Sequence, residues 1–146
     1  MLVNPVNCVG VMGKGLALEF KRRYPRVFQV YKNVCDAGEL SAGYGFAFKG
    51  VYDGKESLIY HAATKQHWRD VSRIEDIDKL LIGIRQFMIN NPQFKSIAIP
   101  ALGCGLGGLQ WSEVKTLMER HLANMDATIM IYEPKEEEWK TKRLSN

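Results

Sequence analysis

The stretch Ser96-Ile97-Ala98-Ile99-Pro100-Ala101-Leu102-Gly103-Cys104-Gly105-Leu106-Gly107-Gly108-Leu109-Gln110-Trp111 decides the fold. It begins with a short β-branched and apolar run, the composition of a strand buried on both faces. Glycines follow at 103, 105, 107 and 108. Trp111-Ser112-Glu113-Val114 then opens an amphipathic helix to about Ala123, with Val114, Leu117, Met118 and Leu122 inward. A strand that empties through glycines onto a helix start is how α/β folds hold phosphate. Without Cβ atoms the backbone can approach a ligand closely and aim its N–H groups at an anion. Taken alone, such a loop also reads as a flexible turn.

A second glycine loop changes that balance. Leu2-Val3-Asn4 reads as the end of a strand cut short by Pro5. It leads into Val6-Asn7-Cys8-Val9-Gly10-Val11-Met12-Gly13-Lys14-Gly15-Leu16-Ala17. Leu16, Leu18, Phe20 and Tyr24 are roughly helix-spaced, and Lys21, Arg22 and Arg23 fall near that helix's C-terminus, where cations favour the dipole. Pro25 ends it, and a further helix runs from about Arg26 to Asp36, closing at Gly38. Tyr44, Phe46 and Phe48 then alternate, Asp53-Gly54 signals a hairpin turn, and Leu58-Ile59-Tyr60 resumes a strand.

Thr64 to Arg69 is polar and aromatic, without a period. Ser72 is the expected cap of the next helix, with Glu75 completing a capping box. Ile74, Ile77, Leu80, Leu81, Ile84, Phe87 and Met88 form its apolar stripe, which Asn90-Asn91-Pro92 ends. Ala127 to Tyr132 is expected as a last buried strand. Residues 135–146 form a charged tail, with Trp139 as its one anchor. Strands alternating with helices imply a mostly parallel or mixed sheet covered on both faces. Two glycine loops after two strands then share the sheet's carboxyl edge, where such folds bind ligands.

At 146 residues, one domain is expected, with ordinary hydrophobic and charged fractions. No apolar run approaches the roughly 20 residues of a membrane span, and Met1 to Pro5 is not a signal peptide. Cys8, Cys35 and Cys104 form no C-x-x-C pair or His cluster, so reduced thiols in a cytoplasm are expected and no metal is implied. The net charge of +4 suits an anionic ligand or weak nucleic-acid contact.

Asn4-Pro5-Val6-Asn7 followed by Gly10 to Ala17 resembles the first ligand loop of macrodomains, and Pro100 to Trp111 resembles their second, phosphate-cradling loop. With Thr64-Lys65 and the final Ile131-Tyr132-Glu133-Pro134, the resemblance is closest to one branch. That branch holds the DarG-type antitoxins, which remove ADP-ribose from DNA, and the terminal ADP-ribose protein glycohydrolase of animals. The resemblance implies a single three-layer α/β/α macrodomain over residues 1–146, with a mixed, mostly parallel central sheet. It also implies that the family's usual first strand is absent here.

Residue by residue, the resemblance puts Asn7, with Asn4 beside it, near the distal ribose. Val11, Met12, Gly13, Lys14, Gly15 and Leu16 would lie against the ligand with Thr64. Ala101, Leu102, Gly103, Cys104, Gly105, Leu106, Gly107 and Gly108 would wrap the diphosphate, and Tyr132 would lie near the adenosine. Lys65 matches the branch's catalytic lysine. The animal enzyme has an aspartate where this chain has Gly107; DarG-type domains have glycine there. The implied activity is hydrolytic release of ADP-ribose from a modified acceptor, first of all DNA bases. ADP-ribose is ligand and product, and no cofactor is required. Single-stranded ADP-ribosylated DNA and a cognate ADP-ribosyltransferase toxin are the implied partners of a monomer that does not touch membranes. Alternatives are a binding module without turnover, or hydrolysis of ADP-ribose-1″-phosphate, O-acetyl-ADP-ribose or ADP-ribosylated protein.

Chemistry leaves several roles open. An N-glycosidic bond at the distal ribose C1″ breaks through an oxocarbenium-like carbon. Lys65 can attack it if its amine is partly neutral, which desolvation or a nearby cation such as Arg69 or His67 would achieve; otherwise it is a solvated lysine. Asn7 can both donate to and accept from ribose hydroxyls, or can form a turn, as can Asn4. His67, Trp68 and Arg69 can stack on a nucleobase, or Trp68 can pack under the loop. His61 reads as a satisfied core histidine, and Cys104 as a small residue in a tight loop.

Overall fold

The computed structural model describes residues 1–134; the tail at 135–146, and Trp139 within it, lie outside the described residues. In chain order the elements are β1 (Leu2–Val6), α1 (Gly15–Arg23), α2 (Pro25–Asp36), β2 (Gly45–Tyr52), β3 (Lys55–Ala63), α3 (Ile74–Asn90), β4 (Ser96–Pro100), α4 (Trp111–Leu122) and β5 (Thr128–Tyr132). The sheet order is β2-β3-β1-β4-β5. β1 runs parallel to β3 and β4, β4 runs parallel to β5, and only β2 is antiparallel, to β3. The sheet is therefore mixed and mostly parallel. Asp53 (φ 52°) and Gly54 (φ 74°) take the two left-handed positions of the β2–β3 turn, as Asp-Gly between alternating strands demands.

Alternation along the central strands builds the layers. On β1, Val3 faces α3 and α4, whereas Val6 faces the other way; on β3, Tyr60 and Ala62 face α3 and α4, while Ile59 and Ala63 do not. Ile77, Leu80, Leu81 and Ile84 of α3 and Val114, Met118 and Leu122 of α4 complete the larger core. On the opposite face α2 inserts Val27 and Tyr31, one helical turn apart and both buried. Two helical layers thus sandwich β1 and β3, the strands that end beside the glycine loops.

Three expectations are corrected. β4 is not buried on both faces: Ile97 and Ile99 are, but Ala98 and Pro100 on the opposite face are only partly covered. β5 has no fully buried residue, and Met130 and Tyr132 are exposed. The reason is common to both. The α1–α2 layer packs on β1 and β2, and β5 is the sheet's edge. Ser72 does not cap α3 either. The cap position is Arg73, with no side-chain cap bond, because the Ser72 backbone is drawn to loop 101–110: its N–H donates to Gly107 O at 2.9 Å.

Candidate active site

Four parallel strands end at one edge of the sheet. Loop 7–14 leaves β1, segment 64–73 leaves β3, loop 101–110 leaves β4, and Tyr132 closes β5. The ends of β1 and β3 are locked together beyond their strands. Thr64 N–H donates to Val6 O at 3.0 Å and Cys8 N–H to Gln66 O at 2.8 Å, which lays Lys65 alongside Asn7 and Cys8. At its far end the same segment is tied to loop 101–110 by the Ser72–Gly107 bond. Segment 64–73 therefore spans from one glycine loop to the other, with Lys65 near its start.

Loop 7–14 is built around Asn7. The Asn7 Oδ1 accepts from Val9 N–H (3.1 Å) and Val11 N–H (3.4 Å), and Nδ2 donates to Val11 O (2.8 Å). From α2, the fully buried Tyr31 hydroxyl reaches both Asn7 Oδ1 and Asn7 O at 2.8 Å. Burial pushes the Tyr31 hydroxyl well above the usual phenol range, so it stays a donor. One amide hydrogen of Asn7 remains for a ligand. The loop then delivers α1, whose N-cap, Lys14, makes no side-chain cap bond and whose first turn holds no acid. Its free N–H groups and positive dipole end favour an anion, with Lys14 exposed beside them.

Loop 101–110 uses its own backbone. Cys104 N–H donates to Ala101 O (3.1 Å), Gly108 N–H to Gly105 O (3.3 Å) and Leu109 N–H to Gly103 O (2.9 Å). The N–H groups of Gly105 and Leu106 have no partner among the described residues, and both residues are exposed. A Cβ on Gly105 would meet nothing within 4 Å, so the space before it is open. At Gly107 a Cβ would collide with the Gly103 carbonyl and the Ser72 hydroxyl. The aspartate of the animal enzymes therefore has no room here.

Lys65 is partly buried, and that burial pulls its ammonium below the usual lysine range, while Asp70 acts in the opposite direction. The expected help from Arg69 and His67 is corrected. The Arg69 guanidinium lies 4.6 Å over the Trp68 ring, and the charge acting on Lys65 is acidic Asp70. Desolvation alone favours the neutral amine.

The structure divides the remaining sequence-derived residues. Val11, Gly13, Lys14, Gly15 and Leu16, with Gly105, Leu106, Gly108 and Tyr132, are exposed at the shared edge, and Ala101 is partly so. Asn4 is corrected from ligand group to core residue. It is fully buried on β1, its Nδ2 reaching His61 Nδ1 (3.3 Å) and Met12 Sδ (4.0 Å). Met12, Leu102 and Cys104 are buried as well. Their side chains pack into the cores as anchors, so any contact with a ligand falls to their backbone, and burial raises the Cys104 thiol to about 11, so it is no nucleophile at neutral pH. Thr64, Gly103 and Gly107 are also buried. His61 is a core histidine, but an unsatisfied one: burial lowers it to about 4, and its Nε2 has no partner among the described residues. Two residues escaped the sequence reading. Tyr31 sits at core spacing on a helix and looks like packing, and Ser72 looked like a cap. Among the described residues, no cluster of His, Cys, Asp or Glu is placed to hold a metal ion, and no helix is long and apolar enough to cross a membrane.

Residues 3–118 match the family model described as Macro domain. The chain belongs to the macrodomain family. This macrodomain is 43% identical over 135 residues to a Mycobacterium tuberculosis (strain ATCC 25618 / H37Rv) protein named DNA ADP-ribosyl glycohydrolase, an alignment covering 91% of this chain and 38% of that protein. It thus spans less than two-fifths of the length of that curated relative. Among solved structures, the macrodomain of M. tuberculosis DarG matches with a TM-score of 0.86 at 40% identity, covering 92% of this chain and 88% of that one. Thermosipho africanus DarTG in complex with ADP-ribose matches with a TM-score of 0.83 at 38% identity, covering 92% of this chain and 38% of that one.

Proposed function

We propose that this macrodomain binds ADP-ribose and hydrolyses it from ADP-ribosylated DNA bases. The observation that carries the reading is the placement of a partly buried lysine, Lys65, on a segment tied at one end to loop 7–14 and at the other to loop 101–110. The unpaired N–H groups of loop 101–110 and the uncapped start of α1 suit the diphosphate. The remaining amide hydrogen of Asn7 suits a distal ribose hydroxyl, so Asn7 orients rather than reacts. The exposed Tyr132 at the end of β5 suits the adenosine.

With the ribose held, the neutral Lys65 amine adds to C1″ as the bond from C1″ to the base nitrogen breaks. The ammonium proton formed on Lys65 passes to the departing nitrogen. The resulting glycosylamine opens to an imine as the bond from C1″ to the ring oxygen breaks and that oxygen takes the proton from the lysine nitrogen. Water then hydrolyses the imine to free ADP-ribose and the original lysine. The relative named DNA ADP-ribosyl glycohydrolase supports the acceptor, and the positive balance of the chain agrees with it. The substrate must come from an ADP-ribosyltransferase that modifies DNA, which makes such an enzyme the expected counterpart in the same compartment.

The reading is tested by offering the protein ADP-ribosylated single-stranded DNA and glutamate-linked ADP-ribosylated protein in parallel. Release from DNA at a rate at least about 10-fold higher is expected, falling as salt rises. Equal rates without a salt effect would replace the DNA acceptor with an enzyme that reads only ADP-ribose. Binding without release from either would leave a non-catalytic module.

A further inference from the structure

We propose that the turn His67-Trp68-Arg69 is an acceptor subsite that stacks the nucleobase next to the modified one on single-stranded DNA. The inference rests on the proposed role of Lys65, which lies three residues before Trp68.

Trp68 is 46% exposed and belongs to neither helical layer's core. An exposed indole is ordinary on a loose loop, but this turn is not loose. The Asp70 carboxylate accepts His67 N–H at 2.9 Å, Asp70 N–H donates to His67 O at 3.0 Å, and Arg69 N–H donates to His67 Nδ1 at 3.1 Å. The segment's two ends are fixed to Cys8 and Gly107. Trp68 is thus held out in a set position without contributing to the core. A rigid aromatic of this kind binds with little ordering cost.

The surroundings fit a nucleotide. The Arg69 guanidinium lies 4.6 Å over the indole and has no carboxylate partner among the described residues. The His67 ring is 5.0 Å from the indole at 34°. An exposed indole flanked by a tilted imidazole and a guanidinium without a carboxylate partner can take the face of any base and the phosphate beside it. A base inside a duplex cannot reach such a platform without leaving its stack, so single-stranded DNA is the form that fits.

The test compares three substrates carrying the same ADP-ribose linkage: a single modified nucleoside, a modified single-stranded oligonucleotide, and the oligonucleotide annealed to its complement. Trp68→Ala is expected to raise KM on the single strand about 10-fold, with kcat, the nucleoside rate and ADP-ribose affinity unchanged. Trp68→Phe should keep most of the wild-type KM. Arg69→Ala should flatten the salt dependence by about one phosphate contact. A Trp68→Ala variant equal to wild type on the oligonucleotide overturns the subsite, and so does an equal loss on the nucleoside. Binding by Lys65→Ala protein separates this from the hydrolase reading. That variant should hold the modified oligonucleotide about 10-fold tighter than free ADP-ribose, an advantage lost when Trp68→Ala is added. Tight, Trp68-dependent binding with no turnover by wild type would sink the hydrolase and keep the platform; no such advantage would sink the platform alone.

Discussion

Loop 7–14 is held by side chains, and loop 101–110 by its own backbone. In the first, Asn7 gathers two backbone N–H groups and a tyrosine from α2, while Met12 plugs the core behind it. In the second, three internal backbone bonds and the close approach of Gly107 to Gly103 and Ser72 fix the path. The loops follow neighbouring strands, β1 and β4, yet they fail in different ways. The backbone-built loop has no tolerance for added atoms at its crossing point, whereas the side-chain-built loop depends on a few separate hydrogen bonds.

The largest expected effect comes from adding atoms to loop 101–110. Gly107→Asp forces a charged side chain into the buried contact with Ser72 and the Gly103 carbonyl. We expect a loss of about 4 kcal/mol or more in chemical denaturation, with ADP-ribose binding abolished. Gly105→Val, two residues away, places its branched side chain in open space. Its melting temperature should stay near wild type while calorimetric affinity for ADP-ribose falls about 100-fold, roughly 3 kcal/mol. Normal binding by Gly105→Val would show that the ligand does not approach this loop.

The difference also explains what the sequence made legible. Loop 101–110 announces itself because its determinants are glycines in one continuous stretch. The Asp53-Gly54 turn and the stripe of α3 are local in the same sense. The support of Asn7 is not local: Tyr31 is 24 residues away, and a buried aromatic on α2 at core spacing looks like packing. Ser72 with Glu75 had the local pattern of a capping box, but a tertiary bond to Gly107 outcompeted it. The burial of β4 and β5 was overstated because a strand's composition does not reveal how far a helical layer extends across the sheet. Asn7 reads as the better ribose ligand from the sequence, but nothing local removes Asn4 from the site; alternation on β1 sends Asn4 into the core.

Acid should act on the side-chain-built region. His61, beneath loop 7–14, touches Asn4, and its ring is 5.5 Å from that of Tyr31. Its folded-state value near 4 lies below the ordinary 6.5. The unfolded chain therefore takes up the proton first, and stability present above pH 6.5 is lost as pH falls toward 4, by about 3 kcal/mol in all. Melting curves from pH 7 to 4.5 should show the loss, with His61→Gln giving a flatter profile. If His61→Gln keeps the full acid sensitivity, the loss originates elsewhere.

Smaller effects separate the two supports of loop 7–14. Asn7→Ala removes the acceptor of two backbone N–H groups and should cost about 2 kcal/mol, with a decrease of about 10-fold or more in ADP-ribose affinity. Tyr31→Phe removes one hydroxyl and should cost about 1 kcal/mol, with only a few-fold change in affinity. A Tyr31→Phe variant as damaged as Asn7→Ala would mean that the loop is held from α2 rather than by its own asparagine.

The central claim is that Lys65, partly buried on the segment between the two loops, reacts at C1″. Single-turnover release from ADP-ribosylated single-stranded DNA tests it most directly, run with Lys65→Ala and Lys65→Arg beside ADP-ribose titrations of each. Both variants should lose about 1,000-fold in rate, a barrier increase of about 4 kcal/mol, because arginine keeps the charge but is not deprotonated. Both should bind ADP-ribose within about 3-fold of wild type, since neither glycine loop is changed. A Lys65→Ala variant that turns over at the wild-type rate would contradict the account.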